Sequence, residues 1–221
     1  MIGGRFDDRD PWLFDLDGTL VDTAPDLHRA LDATLLAHGH RGTDESMMRE
    51  WVGAGAAVMI RRALAAQDVI ADEDRARRML EDFLAHYRGH IADHSRVYPG
   101  IRETLDLLAA RGVAMACVTN KFESLARQLL VALDLAPFFG AVIGGDSLAV
   151  RKPDPAPLFE ACRRLDRSPE RALMVGDSRT DVDAARNAGI PVVCVRYGYS
   201  QGEAVEDLGA DVLVESVWHL L

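Results

Sequence analysis

Short apolar runs recur along the chain at Trp12–Leu16, Val113–Thr119, Ala141–Gly144, Ala172–Val175 and Pro191–Val195, with a further candidate at Val212–Val214. They lack a sustained apolar–polar alternation, so each reads as a strand buried on both faces. Between most of them lie helix-period stretches, Ile101–Ala110, Glu123–Leu133, Pro155–Leu165 and Asp181–Ala188. Parallel strands need crossovers of about that length, and right-handed crossovers put helices on both faces of the sheet. The pattern predicts an α/β fold, a doubly wound parallel sheet. Ligands of such sheets bind beyond the carboxyl ends of the strands, so the strand tips are where chemistry is expected.

The alternation stops between about Thr23 and Ser95. That interval holds helix patterns at Arg29–Ala37, Glu45–Trp51, Ala56–Ala66 and Asp74–His90, and Tyr98-Pro99-Gly100 marks the return to the sheet. The expected organisation is a core domain of residues 1–22 and 96–221, with a helical cap domain of residues 23–95 inserted after the first strand. The crossings near Val21–Pro25 and Val97–Gly100 are expected to be flexible. Met47, Met48, Met59, Trp12 and Trp51 read as apolar packing.

At 221 residues the chain is long enough for one main core with a smaller insert. It carries 25 Lys and Arg against 35 Asp and Glu, a formal net charge of -10. That balance argues against nucleic acid and anionic membrane surfaces as partners, because both bind through cations. An anionic substrate would require a metal ion, a few cations or backbone N–H groups to reverse the field locally. Cys117, Cys162 and Cys194 are widely spaced and read as buried thiols. The segment Met1–Pro11 lacks the basic and apolar regions of a signal peptide, and no uncharged stretch approaches the ~20 residues that span a bilayer. A cytoplasmic location is expected. Oligomeric state, monomer or homodimer, is open.

The first strand candidate runs into Phe14-Asp15-Leu16-Asp17-Gly18-Thr19-Leu20. An Asp-x-Asp-Gly-Thr-Leu string arises by chance roughly once in three million positions at average residue usage. Residues two apart on a strand point to one side, so both carboxylates reach the same edge. A capped turn would account for one Asp and Gly18, not for the pair. The fourth strand candidate ends similarly, in Gly176-Asp177-Ser178-Arg179-Thr180-Asp181, which can also read as a helix N-cap. Together Asp15, Asp17 and Asp177 form a set of hard oxygen ligands suited to Mg²⁺. Crowded carboxylates at these tips would repel one another without a metal. The second strand ends in Thr119-Asn120-Lys121, and Lys152 opens the proline-braced Lys152-Pro153-Asp154-Pro155 before a helix. Thr-Asn often only terminates a strand, and a lone loop Lys is usually solvated.

These four segments, in this order on a parallel sheet, resemble the four motifs of the haloacid dehalogenase-like hydrolases, and the resemblance extends over nearly the whole chain, cap included. It implies an HAD-like core and a magnesium-dependent phosphatase acting on a small-molecule phosphate ester. By the resemblance Asp15 is the nucleophile, and Asp17 protonates the leaving oxygen and later activates water. Thr119 and Lys152 hold the phosphoryl group. Mg²⁺ is held by Asp15, the Asp17 backbone carbonyl and Asp177, with Asp181 orienting them from behind.

Trp51-Val52-Gly53-Ala54-Gly55-Ala56 is similar to the glycine-rich cap segment of bacterial phosphoglycolate phosphatases. So are Thr119-Asn120-Lys121, Val142-Ile143-Gly144-Gly145-Asp146, Gly176-Asp177-Ser178-Arg179 and Tyr197-Gly198-Tyr199 with Gly202-Glu203. That similarity implies 2-phosphoglycolate as substrate, bound partly by Thr119, Asn120, Lys152, Gly53 and Gly55. Gly53 and Gly55 would allow close backbone approach and offer N–H groups to a carboxylate, or serve packing at a helix boundary. Arg61 and Arg62 receive no role. Three alternatives stay open: a broader phosphatase, a sugar-phosphate mutase, and a binding protein that keeps the fold. Such mutases resemble this chain but carry an Arg where Ala56 stands, and a binding protein would tolerate loss of Asp15, Asp17, Lys152 or Asp177. His86, His90 and His94 are spaced by four, so an unbroken helix would align three imidazoles and permit a transition-metal site. Gly89, Arg88 and Asp93 favour a solvated face instead.

Overall fold

The computed structural model describes residues 6, 8–70 and 72–221. The N-terminal reading therefore rests partly on residues 1–5 and 7, which lie outside the described residues. Among the described residues no helix is long and apolar enough to cross a membrane.

The six apolar runs form one parallel sheet. Its members are β1 (Trp12–Phe14), β4 (Met115–Val118), β5 (Ala141–Ile143), β6 (Leu173–Gly176), β7 (Val192–Val195) and β8 (Val212–Val214), in the order β5-β4-β1-β6-β7-β8. Register pairs Phe14 with Cys117 on one side and with Val175 on the other. Period-two geometry divides each strand between two cores. Trp12, Phe14, Cys117 and Val175 face the layer of α5 (Ile101–Ala110) and α6 (Glu123–Ala132). Leu13, Val118 and Met174 face α7 (Ala156–Leu165) and α8 (Arg179–Ala188). Both faces are covered, and this is why the runs show no polar alternation.

Chain order turns back at β1: β4 and β5 extend the sheet to one side, β6 to β8 to the other. The tips of β1, β4 and β6 therefore meet at the switch point of the sheet, the usual place for a ligand.

Four helices fill the interval after β1: α1 (Ala24–Ala37), α2 (Glu45–Trp51), α3 (Ala56–Ala65) and α4 (Glu73–Gly89). Pro25 occupies the first turn of α1, where its missing N–H is harmless. Asp72 caps α4 by accepting from Arg75 N at 2.8 Å. Their inner faces, including Leu31, Met48, Met59, Ile60 and Phe83, join the same apolar cluster as Trp12 and Phe14.

The sequence reading found no strand at the crossings, and here the structure adds one element. Val21–Asp22 (β2) and Arg96–Val97 (β3) pair antiparallel, with Val21 opposite Val97. Two-residue strands lie below what hydropathy can detect. The crossings, read as flexible, are thus tied to each other by backbone hydrogen bonds. The row of histidines also does not persist. α4 ends at Gly89, His90 turns to pair with Asp93 at 2.8 Å, and His94 lies beyond the helix, exposed.

Candidate active site

Asp15 follows β1 directly, its N–H bonded to Val175 O at 2.9 Å across the sheet. Its side chain is almost wholly buried and accepts from Lys152 Nζ at 2.8 Å. Burial pushes the Asp15 carboxyl up to about 7; Lys152 opposes that rise, and the neighbouring Asp181 and Asp17 reinforce it.

Lys152 is the hub of the site. Its buried ammonium reaches Asp15, Asp181 Oδ1 at 2.6 Å and Val118 O at 2.6 Å. Three acceptors use the three donors of an ammonium. Burial works against its charge, but Asp15 and Asp181 outweigh that and hold its pKa above the ordinary lysine range.

Asp177 sits at the tip of β6, accepting from Tyr199 N at 2.6 Å and Thr19 Oγ1 at 3.1 Å. Its pKa is raised well above the carboxylate range by burial first, then by Asp181 and Asp15. Asp181 lies one turn into α8. Its second oxygen takes the Ser178 hydroxyl at 2.8 Å and the N–H groups of Ser178 and Asp177, both at 3.2 Å. Ser178 and Asp181 form a capping box, so helix termination and carboxylate placement are one structure.

One carboxylate oxygen from each of Asp15, Asp177 and Asp181 lies within 4.8 Å of the others. The ammonium of Lys152 contacts two of these three buried acids, Asp15 and Asp181, while Asp177 accepts from the neutral donors Tyr199 N and Thr19 Oγ1. That surplus of negative charge, on hard oxygen donors, fits a divalent metal. Asp17 is absent from this triad of side chains, since its carboxylate is bonded to Lys121 and Thr23; the sequence reading assigned the Asp17 backbone carbonyl to a metal and placed Asp181 behind the ligands.

Asp17 is instead held by groups the sequence reading gave no role. Lys121 Nζ contacts both its oxygens, at 2.7 and 3.0 Å, and Thr23 Oγ1 donates at 2.7 Å. Burial opposes the charge on Lys121, yet Asp17 and then Tyr87 hold its pKa above the usual value. The signal was present in the sequence: Lys121 is a cation at a strand tip beside two motif carboxylates. Thr19 and Tyr199 were missed because their partners lie far away in sequence, and Thr23, six residues from Asp17, because a single loop hydroxyl carries no signal of its own. The Tyr199 hydroxyl accepts from Thr23 N at 2.8 Å and Ala24 N at 3.0 Å while donating to Asp22 at 2.8 Å.

Thr119 is buried at the tip of β4, its hydroxyl accepting from Lys121 N at 3.1 Å. The Asn120 amide donates to Gly53 O and to Lys152 O, each at 3.0 Å, and so joins the helical insert to the loop carrying Lys152. Gly53 and Gly55 adopt φ of 109° and 94°. A Cβ at Gly53 would strike the Gln201 amide, and one at Gly55 would lie 3.2 Å from Arg151. Their smallness thus serves backbone conformation and packing against the core. Arg61 is exposed and Arg62 donates to Glu50 O, so neither enters the site.

Sheet tips and insert enclose a cavity of about 50 Å³. Asp15, Asp17, Thr119, Asn120 and Lys121 line one side; Gly53, Gly55, Met59, Phe83 and Tyr87 line the other. The arrangement offers a buried carboxylate at Asp15, a second carboxylate at Asp17, two ammonium groups and a triad of acids close enough to hold a metal ion.

Comparison with known proteins agrees with this geometry. The sequence profile described as haloacid dehalogenase-like hydrolase matches residues 12–195. A phosphoglycolate phosphatase of Mesorhizobium japonicum is 47% identical over 188 residues, 85% of this chain and 83% of that protein. One of Nitrosospira multiformis is 41% identical over 207 residues, covering 93% and 91%. The crystal structure of a predicted phosphoglycolate phosphatase from Haemophilus somnus 129pt superposes with a TM-score of 0.90 at 32% identity, covering 96% of each chain.

Proposed function

Because the chain belongs to the haloacid dehalogenase-like hydrolases, we propose that it is a phosphoglycolate phosphatase, hydrolysing 2-phosphoglycolate to glycolate and phosphate through an aspartyl-phosphate on Asp15. The observation that carries the chemistry is the cluster in which one ammonium, that of Lys152, bridges Asp15 and Asp181 at 2.8 and 2.6 Å beside Asp177. The substrate follows from relatives 41 to 47% identical over most of the chain.

In the first step an Asp15 oxygen attacks phosphorus and the ester P–O bond breaks. Asp17 supplies the proton to the departing glycolate oxygen. In the second, Asp17 takes a proton from water, whose oxygen forms the new P–O bond as the Asp15–phosphorus bond breaks. Lys152 neutralises charge on the transferring group, and the Thr119 hydroxyl positions one of its oxygens. Asp15, Asp177 and the Asp17 backbone carbonyl would hold Mg²⁺, oriented by Asp181; the bound ion supplies charge neutralisation for the phosphoryl oxygens. Residues 23–95 act as a cap domain over the core of residues 1–22 and 96–221 and exclude bulk water.

The test is phosphate release, with Mg²⁺ and with EDTA, from 2-phosphoglycolate, 3-phosphoglycerate, hexose phosphates, nucleotides and pyrophosphate, run beside Asp15→Asn. Selective, Mg²⁺-dependent release from 2-phosphoglycolate that vanishes in the variant is expected. Equal release across the panel would overturn the substrate, and release that survives in Asp15→Asn would overturn the mechanism.

A further inference from the structure

Phosphoglycolate carries a carboxylate as well as a phosphate, and an acidic protein must find a cation for each. Lys152 is occupied at the phosphate end. Among the described residues that line the cavity, Lys121 is the one cation. Its ammonium is buried and lies 4.8 Å from the centre of the Tyr87 ring, which comes from α4 on the opposite wall. The Tyr87 hydroxyl also is buried in this wall and has no direct hydrogen-bond partner among the described residues. A buried hydroxyl left in that state is costly, and a ligand oxygen would satisfy it.

The covalent structure of the substrate fixes the spacing. In phosphoglycolate one methylene separates the leaving oxygen from the carboxylate carbon. A carboxylate that protonates the leaving oxygen must therefore have the substrate's own carboxylate as a near neighbour. Lys121, at 2.7 Å from Asp17, stands one contact from that position.

Resting on the phosphoglycolate reading, we infer that Lys121 and Tyr87 form the subsite for the substrate carboxylate, with Lys121 exchanging Asp17 for the incoming anion. Asp17 loses its ammonium partner when the correct ester is seated and becomes free to turn to the leaving oxygen. A phosphate ester without a carboxylate leaves Lys121 on Asp17. Selectivity then resides in the rate of proton transfer as well as in binding, since the wrong ester does not release the acid. One wall of the subsite belongs to the sheet and the other to the helical insert, so the carboxylate also draws the two together.

The experiment compares kcat/KM for 2-phosphoglycolate with that for 2-hydroxyethyl phosphate, its analogue without a carboxylate, in wild type, Lys121→Met, Lys121→Arg and Tyr87→Phe. Wild type is expected to prefer phosphoglycolate. Lys121→Met should lower that preference about 30- to 100-fold, the scale of a lost charge-assisted hydrogen bond. Lys121→Arg should retain most of it, and Tyr87→Phe should lower it several-fold. Should Lys121→Met fail to fold, Tyr87→Phe carries the same comparison. A wild type without preference overturns the substrate reading and the subsite together. A preference that persists in Lys121→Met and Tyr87→Phe, with both esters slowed in parallel, overturns the subsite alone and reduces Lys121 to support for Asp17.

Discussion

The acid cluster makes Asp15→Asn a stabilising substitution under defined conditions. The Asp15 carboxyl is raised from 3.8 to about 7, chiefly by burial. In the folded chain it keeps its proton up to about pH 7, whereas the unfolded chain releases it near 3.8. The folded state thus binds more protons between those values, and stability falls as pH rises through that window. A difference of roughly three units corresponds to about 4 kcal/mol at 1.36 kcal/mol each. Water entry and relaxation in a real site reduce this, so about 2–4 kcal/mol is the working range. Asparagine has the shape of the protonated acid and can still accept from Lys152. For a chain of this length about 2–4 °C accompanies each kcal/mol, so the variant should melt roughly 4–16 °C above wild type at pH 8 with EDTA present. At pH 5 only about one unit of the penalty operates, and the gain should shrink by more than half. Mg²⁺ should then raise wild type more than the variant, because it relieves the same charge crowding. Differential scanning fluorimetry at both pH values measures this. A variant that melts at or below wild type at pH 8, or gains equally at pH 5, refutes the claim that an ionised Asp15 is a buried liability.

Other substitutions probe neighbouring parts of the network. Lys152→Met removes the ammonium that Asp15 and Asp181 share; phosphatase activity should fall by about 10³-fold or more, with destabilisation at pH 8 of about 3–5 kcal/mol that eases at pH 5, read by turnover and melting. Gly198→Ala would drive a Cβ into the Asp177 side chain, so the Mg²⁺ concentration for half-maximal activity should rise at least tenfold while the fold by circular dichroism is retained. Tyr199→Phe deletes the hydroxyl shared by Thr23 N, Ala24 N and Asp22, leaving buried groups unmet, and should cost about 1–3 kcal/mol with faster amide exchange at Thr23 and Ala24.

The sheet was legible because each of its strands is apolar on both faces, and run boundaries differ from strand boundaries by at most two residues. Val113, for example, is read into a strand that begins at Met115. α1 begins five residues before the periodic stretch at Arg29, because Pro25 and Asp26 read as loop formers yet suit a first helical turn. Motif carboxylates were legible because a hard-cation site needs acids at strand tips, and short-range spacing reports that. The position of the Asp17 carboxylate was not, since it depends on Lys121, 104 residues away. Tyr87 is likewise invisible from sequence as a site residue: its spacing on α4 continues the apolar row of Met79 and Phe83, which reads as packing.

The two lysine–aspartate pairs divide the proposed chemistry between the parts of the molecule. Asp15 and Asp177 come from sheet tips, Asp181 from α8 and Lys152 from the loop before α7, so the proposed nucleophile and metal ligands are carried by elements outside the helical insert. Asp17 is different: it is held by Thr23 at the entry to α1 and by Lys121 beneath the Tyr87 ring of α4. Nor are the crossings loose. β2 pairs with β3, and the buried Asp26 carboxylate accepts from His94 N at 3.0 Å and from Ser95 N and Oγ at 2.7 Å, fastening the returning chain to α1. An insert tied at both crossings would, if it shifts, carry Thr23 and Tyr87 together. In the proposed mechanism such a shift would reach Asp17 through Thr23, while Asp15 is held from the core by Lys152. The ester can be bound and aligned on Asp15 before the acid that completes the reaction is set free.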